Sequence, residues 1–447
     1  MEKKISKVNN IKGFSINIIS LISGQIVIAL ISLINSVVIA RALGVEDRGF
    51  FVMAMLLPNI LITFSDFGIG AASTKFTASK KYLSSNILLS NSVLVLIRLC
   101  LISIIGILIV YFYSESLFPG IPKIYLYLGL LQGITLGIQG LIFPIFLGLG
   151  LGVRYSLILV FSAFLSLTAF TICWLTIGLS VRLALLVQFG TSFIISIYIY
   201  INLFNIINEK GKISLTYIKD AFKFGSGVFV SIISTFVNEK MILLVLNFFG
   251  GVIYVSLYTL AQSLTERIYL LSDAVGTMLM PKISEDPESN SSFITPTVFK
   301  ITIVVTFFIA LILAIFANSI VTLMYTEEFA GSIIIMQFLL VAVIFSSGWR
   351  VISQDLNGRG LTKFTAMINV MLVIISLSLA IILLPKIGLV GAAIGSIIAY
   401  VFASLIGVIF FVRNTDKIKF IMMFSFSKHE VLIFKQLFKS FFTRSNR

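Results

Sequence analysis

The chain has 447 residues, of which 58% are hydrophobic and 11% are charged, against roughly 25% charged residues in ordinary soluble proteins. This composition excludes a soluble globular protein, and the mean hydropathy of +1.09 excludes an intrinsically disordered one. A formal net charge of +15 would suggest a nucleic acid partner for a soluble protein. In a membrane protein it indicates basic cytoplasmic loops that lie against anionic lipid, so we expect no nucleic acid partner.

Long apolar runs follow one another along the chain. A helix needs roughly 20 apolar residues to cross a bilayer, and lipid offers the backbone no hydrogen-bond partners, so such runs must be helical. The runs do not alternate in the way that membrane barrel strands do. The sequence predicts an all-α polytopic membrane protein with twelve spans, at residues 16–40, 50–72, 87–113, 125–147, 157–179, 183–206, 228–249, 255–280, 301–324, 333–352, 366–384 and 390–412.

The basic residues are distributed unevenly between the two ends of these spans. With a cytoplasmic N-terminus, 25 of the 33 Lys and Arg residues fall on cytoplasmic segments, counting Arg350 at the inner end of the tenth span, and five fall on outer turns. The positive-inside rule therefore predicts that both termini are cytoplasmic in a multi-pass protein of the inner membrane. Eight of the 25 lie in the tail 413–447, where residues 428–442 are predicted to form an amphipathic helix on the inner leaflet. The outer turns are too short for a soluble domain.

The two halves of the chain repeat weakly. A shift of 207 positions puts Gly44 on Gly251 and the pair Ser65-Asp66 on Ser272-Asp273, and a shift of 210 puts residues 147–151 on 357–361. Six spans per half is an even number, so both halves enter the membrane from the same side, as in parallel-repeat transporters. We predict an N-terminal lobe at 1–207, a cytoplasmic linker at 208–223, a C-terminal lobe at 224–412 and a basic cytoplasmic tail at 413–447.

A few charged residues lie within the predicted spans, where a charge costs at least about 2.5–3.5 kcal/mol and normally faces a cavity or a partner. Neighbours such as Glu239 and Lys240 point about 100° apart on a helix, so they cannot simply neutralise each other. Basic residues deep in several spans favour an anionic cargo such as a phosphate group. We predict a cationic substrate cavity formed by Arg98, Lys240 and Arg267. Four carboxylates are assigned to ion coupling or to structure: Asp66, Glu239, Glu266 and Asp273.

An alternative interpretation is that these charges form buried ion pairs that fix the helix register, for example Asp66 with Arg98.

The sequence has no motif for metal binding, for Cys/His chemistry or for ATP hydrolysis. The single histidine, His429, lies in the tail, and Cys100 and Cys173 are isolated within spans, so we expect no metal site and no cofactor. Without a P-loop the chain is not expected to hydrolyse ATP by that route, so any uphill transport must draw on an ion gradient, the membrane potential or a downstream reaction. Because parallel six-helix repeats are a transporter plan, the chain is expected to be a transporter rather than an enzyme.

Several motifs carry a resemblance to a known family. The run 38–49 (VIARALGVEDRG) and the run 66–70 (DFGIG) resemble the polysaccharide flippases of the multidrug/oligosaccharidyl-lipid/polysaccharide exporter superfamily. Residues 238–240 with 257–261, residues 324–329, and the run 385–395 (PKIGLVGAAIG) also look like that family, although Ser256 and Glu239 depart from its usual Gly and Asp. The resemblance covers nearly the whole chain.

This resemblance implies a V-shaped pair of six-helix lobes that works by alternating access. Such a protein moves a polyprenyl-diphosphate-linked oligosaccharide from the inner to the outer leaflet for surface polysaccharide synthesis, with a polysaccharide polymerase as a possible partner. The sugar and diphosphate would pass through a hydrated cationic cavity while the lipid tail stays in the bilayer.

Two other functions compete with this one. A cation-coupled multidrug exporter of the same superfamily should favour an acidic cavity, whereas this chain places Arg98, Lys240 and Arg267 in its spans. A membrane polymerase or glycosyltransferase typically has a large outer loop with catalytic groups, and no such loop is expected here.

Overall fold

The computed structural model describes residues 2–285, 287–415 and 420–425. The predicted tail helix at 428–442 and His429 lie outside this part of the chain. Within it the secondary structure is helical and no strand occurs. The α-helices are α1 Glu2–Phe64, α2 Ile69–Ala78, α3 Ser84–Leu117, α4 Lys123–Ile142, α5 Pro144–Gly148, α6 Gly152–Ile177, α7 Val181–Ile206, α8 Leu215–Thr265, α9 Tyr269–Glu285, α10 Pro287–Ile315, α11 Ala317–Met324, α12 Gly331–Gly358, α13 Thr362–Ile387 and α14 Leu389–Arg413.

Ten helical segments of the described chain are long and apolar enough to cross a membrane. Two of them, Ser23–Phe64 and Leu215–Gly276, are long enough for two crossings each. Each is divided by a glycine with a positive φ: Gly44 at 73° and Gly251 at 68°. A residue with a side chain rarely adopts this conformation, so each glycine allows a corner between consecutive spans. The ten segments thus accommodate the twelve predicted spans.

The chain divides into two compact units. The first comprises Met1–Leu257 and Leu323–Phe329, and the second comprises Tyr258–Thr322 and Ala330–Arg447. The division falls inside α8, later in the chain than the predicted linker at 208–223. The predicted lobe boundaries therefore remain a sequence-based prediction, and the first part of α8 is described below with the first unit.

Each unit has a small buried core and a wide apolar exterior. In the first unit the core includes Ile69, Phe76, Ile87, Leu141 and Phe146, and in the second it includes Phe299, Trp349, Ile352 and Phe411. The exterior of α3 shows why these units belong in lipid. Successive large apolar side chains are exposed along its length, which in water would cost roughly 25 cal/mol for every Å² left uncovered. They are Leu96, Ile97, Leu101, Ile104, Ile107, Leu108, Tyr111 and Phe112.

The backbone repeats where the sequence repeats. In the turn after α5, the amides of Leu149, Gly150 and Leu151 donate to the carbonyls of residues 145, 147 and 146. In the turn after α12, the amides of residues 359, 360 and 361 donate to the carbonyls of residues 355, 357 and 356, which is the same pattern shifted by 210 positions. Gly178 and Gly388, also 210 apart, both have a positive φ and cap α6 and α13. These equivalences support the predicted parallel repeat.

The start of α8 is anchored within the first unit by polar contacts. The Tyr217 hydroxyl donates to Asn91 Oδ1 at 2.9 Å, and Asn91 Nδ2 donates to Ser73 Oγ at 2.8 Å. Because these groups are buried, each needs such a partner. Nearer the surface, Lys81 Nζ lies 2.5 Å from the Asp220 carboxylate, and this hydrogen bond raises the pKa of the Lys81 ammonium.

The second predicted span is interrupted where α8 packs against it. The chain leaves helical geometry between Phe64 and Ile69, and Phe67 and Gly68 have φ values of 48° and 70°. The Phe67 ring stacks on Phe229 with centroids 4.9 Å apart. Gly225 of α8 approaches so closely that a Cβ there would lie 2.2 Å from the Phe67 carbonyl oxygen. The non-helical segment 65–68 and α8 therefore pack backbone against backbone, and a side chain at position 225 would prevent this contact.

This close approach can be tested with two glycines of the same helix. Gly225→Ala should force the backbones apart, at a cost of about 1–3 kcal/mol, and lower the apparent Tm of the purified protein. Gly227→Ala is the matched control, because no atom lies within 4 Å of its ideal Cβ, and it should leave Tm unchanged or raise it slightly. Equal Tm values for both variants would contradict the packing described here.

Candidate functional site

The break in the second span gathers polar groups within the first unit. Asp66 lies in the non-helical segment, and its Oδ2 accepts a hydrogen bond from the Gly68 amide at 3.1 Å. A helix that ends inside the bilayer leaves carbonyl groups without amide partners, and these must be satisfied by other donors. The backbone thus creates an acceptor site in the middle of an apolar run.

Arg98 of α3 fills that site. Its Nε donates to Ser65 Oγ at 2.9 Å, and its Nη2 donates to the Ile62 carbonyl at 2.5 Å. Its Nη1 lies 3.6 Å from Asp66 Oδ1, and the Arg98 side chain is only 4% exposed. A Cβ at Gly140 of α4 would lie 3.4 Å from Nη1, an ordinary van der Waals distance, so the guanidinium packs directly against this glycine.

Asp66 and Arg98 thus form the ion pair that the alternative sequence interpretation expects. Arg98 stabilises the interrupted backbone and is enclosed by it. Its assignment to the wall of a substrate cavity remains a prediction, and the burial of the side chain favours a structural role.

Glu239 and Lys240 lie on α8, also within the first unit, and both are half-buried. Phe236, one turn before Lys240 on the same face, packs edge-to-face against Phe64 at 6.5 Å. In the described part of the chain, no hydrogen bond or ion pair joins Lys240 to another residue. Lys240 therefore remains available for an anion, as the sequence analysis predicts for the cavity.

The eighth predicted span is also interrupted, here within the second unit. After Thr265 the chain forms a single 3-10 turn, Glu266–Ile268, before α9 begins. Gln262 Nε2 donates to Glu266 Oε1 at 2.6 Å, so these two residues, one turn apart, form a polar stripe on one face of the helix. Arg267 is half-buried in the same turn. A 3-10 stretch within a helix often marks a functional hinge.

A cation that the sequence analysis placed only near the inner end of the tenth span lies beside this stripe. Arg350 Nη1 of α12 is 2.6 Å from Asp273 Oδ1 of α9, and its guanidinium lies 4.0 Å above the Tyr269 ring. The pair is open, because the Arg350 and Asp273 side chains are 30% and 51% exposed. Aromatic stacking holds the plane of the guanidinium while its outer edge remains available for an anion.

The repeat relates the two Asp–Arg pairs. Asp273 corresponds to Asp66 by the shift of 207, and Arg350 corresponds to Gly140 by the shift of 210. Each unit therefore places an arginine against the equivalent aspartate. In the first unit the arginine is Arg98 of α3, whose side chain lies over Gly140. In the second unit the arginine is residue 350 of α12, the position that corresponds to Gly140. The sequence repeat could have identified Arg350, because position 350 corresponds to Gly140.

Metal chemistry receives no support from the described residues, in which no group of three or more His, Cys, Asp or Glu side chains is placed to hold a metal ion. The polar groups of both units are instead hydrogen-bond donors, cations and carboxylates. Such groups can bind an anion or exchange ion-pair partners.

A double-mutant cycle tests the structural role of the buried pair. Arg98→Met and Asp66→Leu each leave one buried charge without its partner and should lower stability by about 3 kcal/mol. The double variant should recover much of that loss, because it removes both charges. The measurement is the fraction of protein that survives heating, read by size-exclusion chromatography. A double variant as unstable as the sum of the single variants would contradict the pairing.

Comparison with known proteins agrees with this architecture. No characterised protein matches the chain in sequence. Among solved structures, the lipid II flippase MurJ in an inward closed conformation matches with a TM-score of 0.72 at 17% identity, over 96% of this chain and 99% of that one. An outward-facing multidrug resistance MATE family transporter of the MOP superfamily matches with a TM-score of 0.60 at 17% identity, over 93% and 97% of the two chains.

A MOP superfamily transporter from Pyrococcus furiosus, described as having a binding pocket of reverse polarity, matches with a TM-score of 0.58 at 17% identity, over 90% of this chain and 95% of that one. Identities this low establish a shared fold only. Sequence similarity to a family is more direct, because residues 15–286, more than half of the chain, match the family described as polysaccharide biosynthesis protein. The chain is therefore a multi-pass membrane protein that belongs to the polysaccharide biosynthesis protein family.

Proposed function

We propose that this protein translocates a polyprenyl-diphosphate-linked oligosaccharide across the cytoplasmic membrane for surface polysaccharide synthesis. Membership in the polysaccharide biosynthesis protein family and the fold shared with a lipid II flippase support this class of substrate. In this proposal the sugar and diphosphate pass through a cationic cavity by alternating access, while the polyprenyl chain stays in the bilayer.

The observation that carries the proposal is the set of accessible cations at interrupted or half-buried stretches of the spans. Arg350 is partly exposed and held flat on Tyr269, and Lys240 has no partner in the described part of the chain. Arg267 lies at a break in its span. A diphosphate offers several oxygens to such groups, and hydrogen bonds to charged donors are roughly twice as strong as neutral ones.

Arg350 is suited to bind and then release the substrate. Its ion pair with Asp273 is partly exposed, and such pairs contribute only about 0–1 kcal/mol. A phosphate can therefore replace Asp273 as the partner of Arg350 at little cost. Asp273 can then act as the competing anion that regenerates the empty site, which gives one predicted carboxylate a specific role.

The proposal includes a membrane orientation and partners. Both termini and the segment 208–223 face the cytoplasm, as the distribution of Lys and Arg suggests. The protein uses no cofactor and catalyses no covalent reaction. It delivers its product to the outer leaflet, where a polysaccharide polymerase would use it. A cation-coupled drug exporter fits less well, because exporters of cationic drugs need a net acidic cavity.

Replacing each candidate cation tests the cationic pathway. Arg350→Gln, Lys240→Gln and Arg267→Gln remove the charge while keeping a polar side chain, and each should lower export at least about tenfold, because a hydrogen bond to a charged group contributes about 1.5–3 kcal/mol. The measurement is surface polysaccharide per folded protein in the membrane. Lys386→Gln, at a predicted outer turn, is the charge-matched control. Full export by all three variants would rule out the cationic cavity.

The comparison should include Arg98→Gln, because its outcome separates a structural role of Arg98 from a role in transport. If Arg98 only supports the fold, this variant should lose protein abundance, and the export per remaining molecule should stay near normal. Arg350→Lys should retain more export than Arg350→Gln, since it keeps the charge but loses the planar guanidinium that stacks on Tyr269.

The orientation can be tested separately with single cysteines. Glu115→Cys and Lys212→Cys, each in a background without Cys100 and Cys173, place one thiol at each predicted side of the membrane, and both positions are exposed. An impermeant thiol reagent added to intact cells should label position 115 only. Labelling at position 212 but not at position 115 would reverse the orientation.

A further inference from the structure

A groove that none of the predicted site residues lines opens on the surface of the first unit. It lies between α6 and α7, has a volume of about 640 Å³, and is lined by Arg154, Leu157, Ile158, Phe161, Tyr198 and Asn202. Leu157, Phe161 and Tyr198 are all exposed, so the groove faces the medium that surrounds the helices. For a protein with this composition, that medium is lipid.

The groove combines three polar groups that need partners. Arg154 is exposed, and in the described part of the chain no ion pair or hydrogen bond reaches it. Asn202 Oδ1 is buried without a hydrogen-bond partner among the described residues, although its Nδ2 donates to the Tyr198 hydroxyl at 3.4 Å. A buried acceptor without a donor costs about 1–3 kcal/mol. The hydroxyl proton of Tyr198 remains available to an external acceptor.

These polar groups lie at one end of the helices, and the apolar residues extend away from them. Arg154 is in the first turn of α6, which begins at Gly152, and Asn202 is in the last turn of α7, which ends at Ile206. At 1.5 Å per residue, Phe161 lies about 10 Å deeper than Arg154. Tyr198 is near the depth at which aromatic residues meet lipid head groups. A lipid whose head is at Arg154 could therefore extend a chain along Leu157 and Phe161.

From this arrangement we infer that the α6–α7 groove binds one anionic glycerophospholipid of the cytoplasmic leaflet, with a phosphodiester and a hydroxyl-bearing head group. Arg154 and Tyr198 donate to the phosphodiester oxygens, and rotation of the Asn202 amide brings its Oδ1, which has no donor among the described residues, to a head-group hydroxyl. One cation balances the single charge of a phosphodiester, whereas a polyprenyl diphosphate carries more charge than this site neutralises. Basic pockets between membrane helices recognise anionic head groups in this way.

A second groove of the same unit shows what distinguishes this one. It has a volume of about 330 Å³ and lies on α3, α4 and α7, with Val95, Leu99, Ile142 and Tyr200 among its lining residues and no charged side chain. Its surface is suited to any acyl chain and selects no head group. Only the α6–α7 groove adds a cation and an unsatisfied acceptor to apolar walls.

The test measures lipid binding to the purified, delipidated full-length protein by native mass spectrometry. Dioleoyl phosphatidylglycerol, phosphatidylmethanol and phosphatidylcholine share acyl chains and differ in head-group charge or hydroxyls. The wild type should bind phosphatidylglycerol about tenfold more tightly than phosphatidylcholine. Arg154→Gln should abolish this preference, because losing about 1.4 kcal/mol corresponds to a factor of ten. Arg154→Lys should restore part of it.

Two matched variants make the result specific. Arg182→Gln removes an equally exposed arginine at the other end of the same helix pair, near the start of α7, and should change nothing. Asn202→Leu should remove the advantage of phosphatidylglycerol over phosphatidylmethanol, which has the same phosphodiester but no hydroxyl. Equal binding of phosphatidylglycerol and phosphatidylcholine by the wild type, or an equal loss in Arg182→Gln, would overturn the inference.

A polyprenyl diphosphate competitor separates this site from the proposed transport function. It should not displace phosphatidylglycerol from the groove, and displacement that depends on Arg154 would mean that the groove belongs to the substrate instead. The binding readout requires no transport. A protein that binds the phospholipid but moves no oligosaccharide would support the groove and refute the proposed function, so the two failures remain distinguishable.

Discussion

The cost of placing a charge or an unpaired backbone group in hydrocarbon governs this architecture. Most of each helix satisfies that constraint by itself, since its amides and carbonyls bond internally and its exterior is apolar. At the interruption of the second span the constraint is met differently. Arg98 donates to the Ile62 carbonyl and to Ser65, and it lies beside Asp66. One guanidinium thus satisfies the backbone break and balances the charge that accompanies it.

The same constraint is met in the second unit with a different balance between stability and access. Asp273 and Arg350 form a short ion pair, but both are partly exposed. Exposed pairs contribute little to stability, whereas breaking a buried pair costs about 3–5 kcal/mol. The repeated halves have therefore diverged at equivalent positions. One half keeps a small residue, Gly140, and receives its arginine from a neighbouring helix, while the other carries the arginine itself.

Much of the fold could be predicted from sequence because the bilayer restricts the alternatives. Apolar run length predicts the spans, and the repeat aligns Gly44 with Gly251, the two glycines at which the structure places corners. Interruptions inside apolar runs are harder to predict, since the length of an apolar run does not show that α1 ends at Phe64 or that a 3-10 turn begins at Glu266. The charged residues were the available signal, because both interruptions carry them.

The partners of those charges could not be predicted with the same ease. Sequence analysis offered the pair Asp66–Arg98 only as one alternative, because a charge in a span indicates that a partner exists without indicating which helix supplies it. It placed Arg350 near the inner end of the tenth span and did not connect it with Asp273. Pairing depends on which helix faces pack together, and that depends on close approaches such as the one at Gly140, which hydropathy does not record.

Under the proposed function, the two kinds of pair suit two different tasks in a protein that alternates between states. A buried pair that also holds an interrupted backbone changes partners only at high cost, so Arg98 fixes one geometry throughout a cycle. A partly exposed pair can exchange one anion for another at a cost comparable to thermal energy, which at 25 °C is about 0.6 kcal/mol. Divergence at positions 140 and 350 therefore gives a duplicated fold one rigid element and one cation whose partner can exchange, and the phosphate-bearing substrate that we propose would need both a fixed framework and a contact that it can leave.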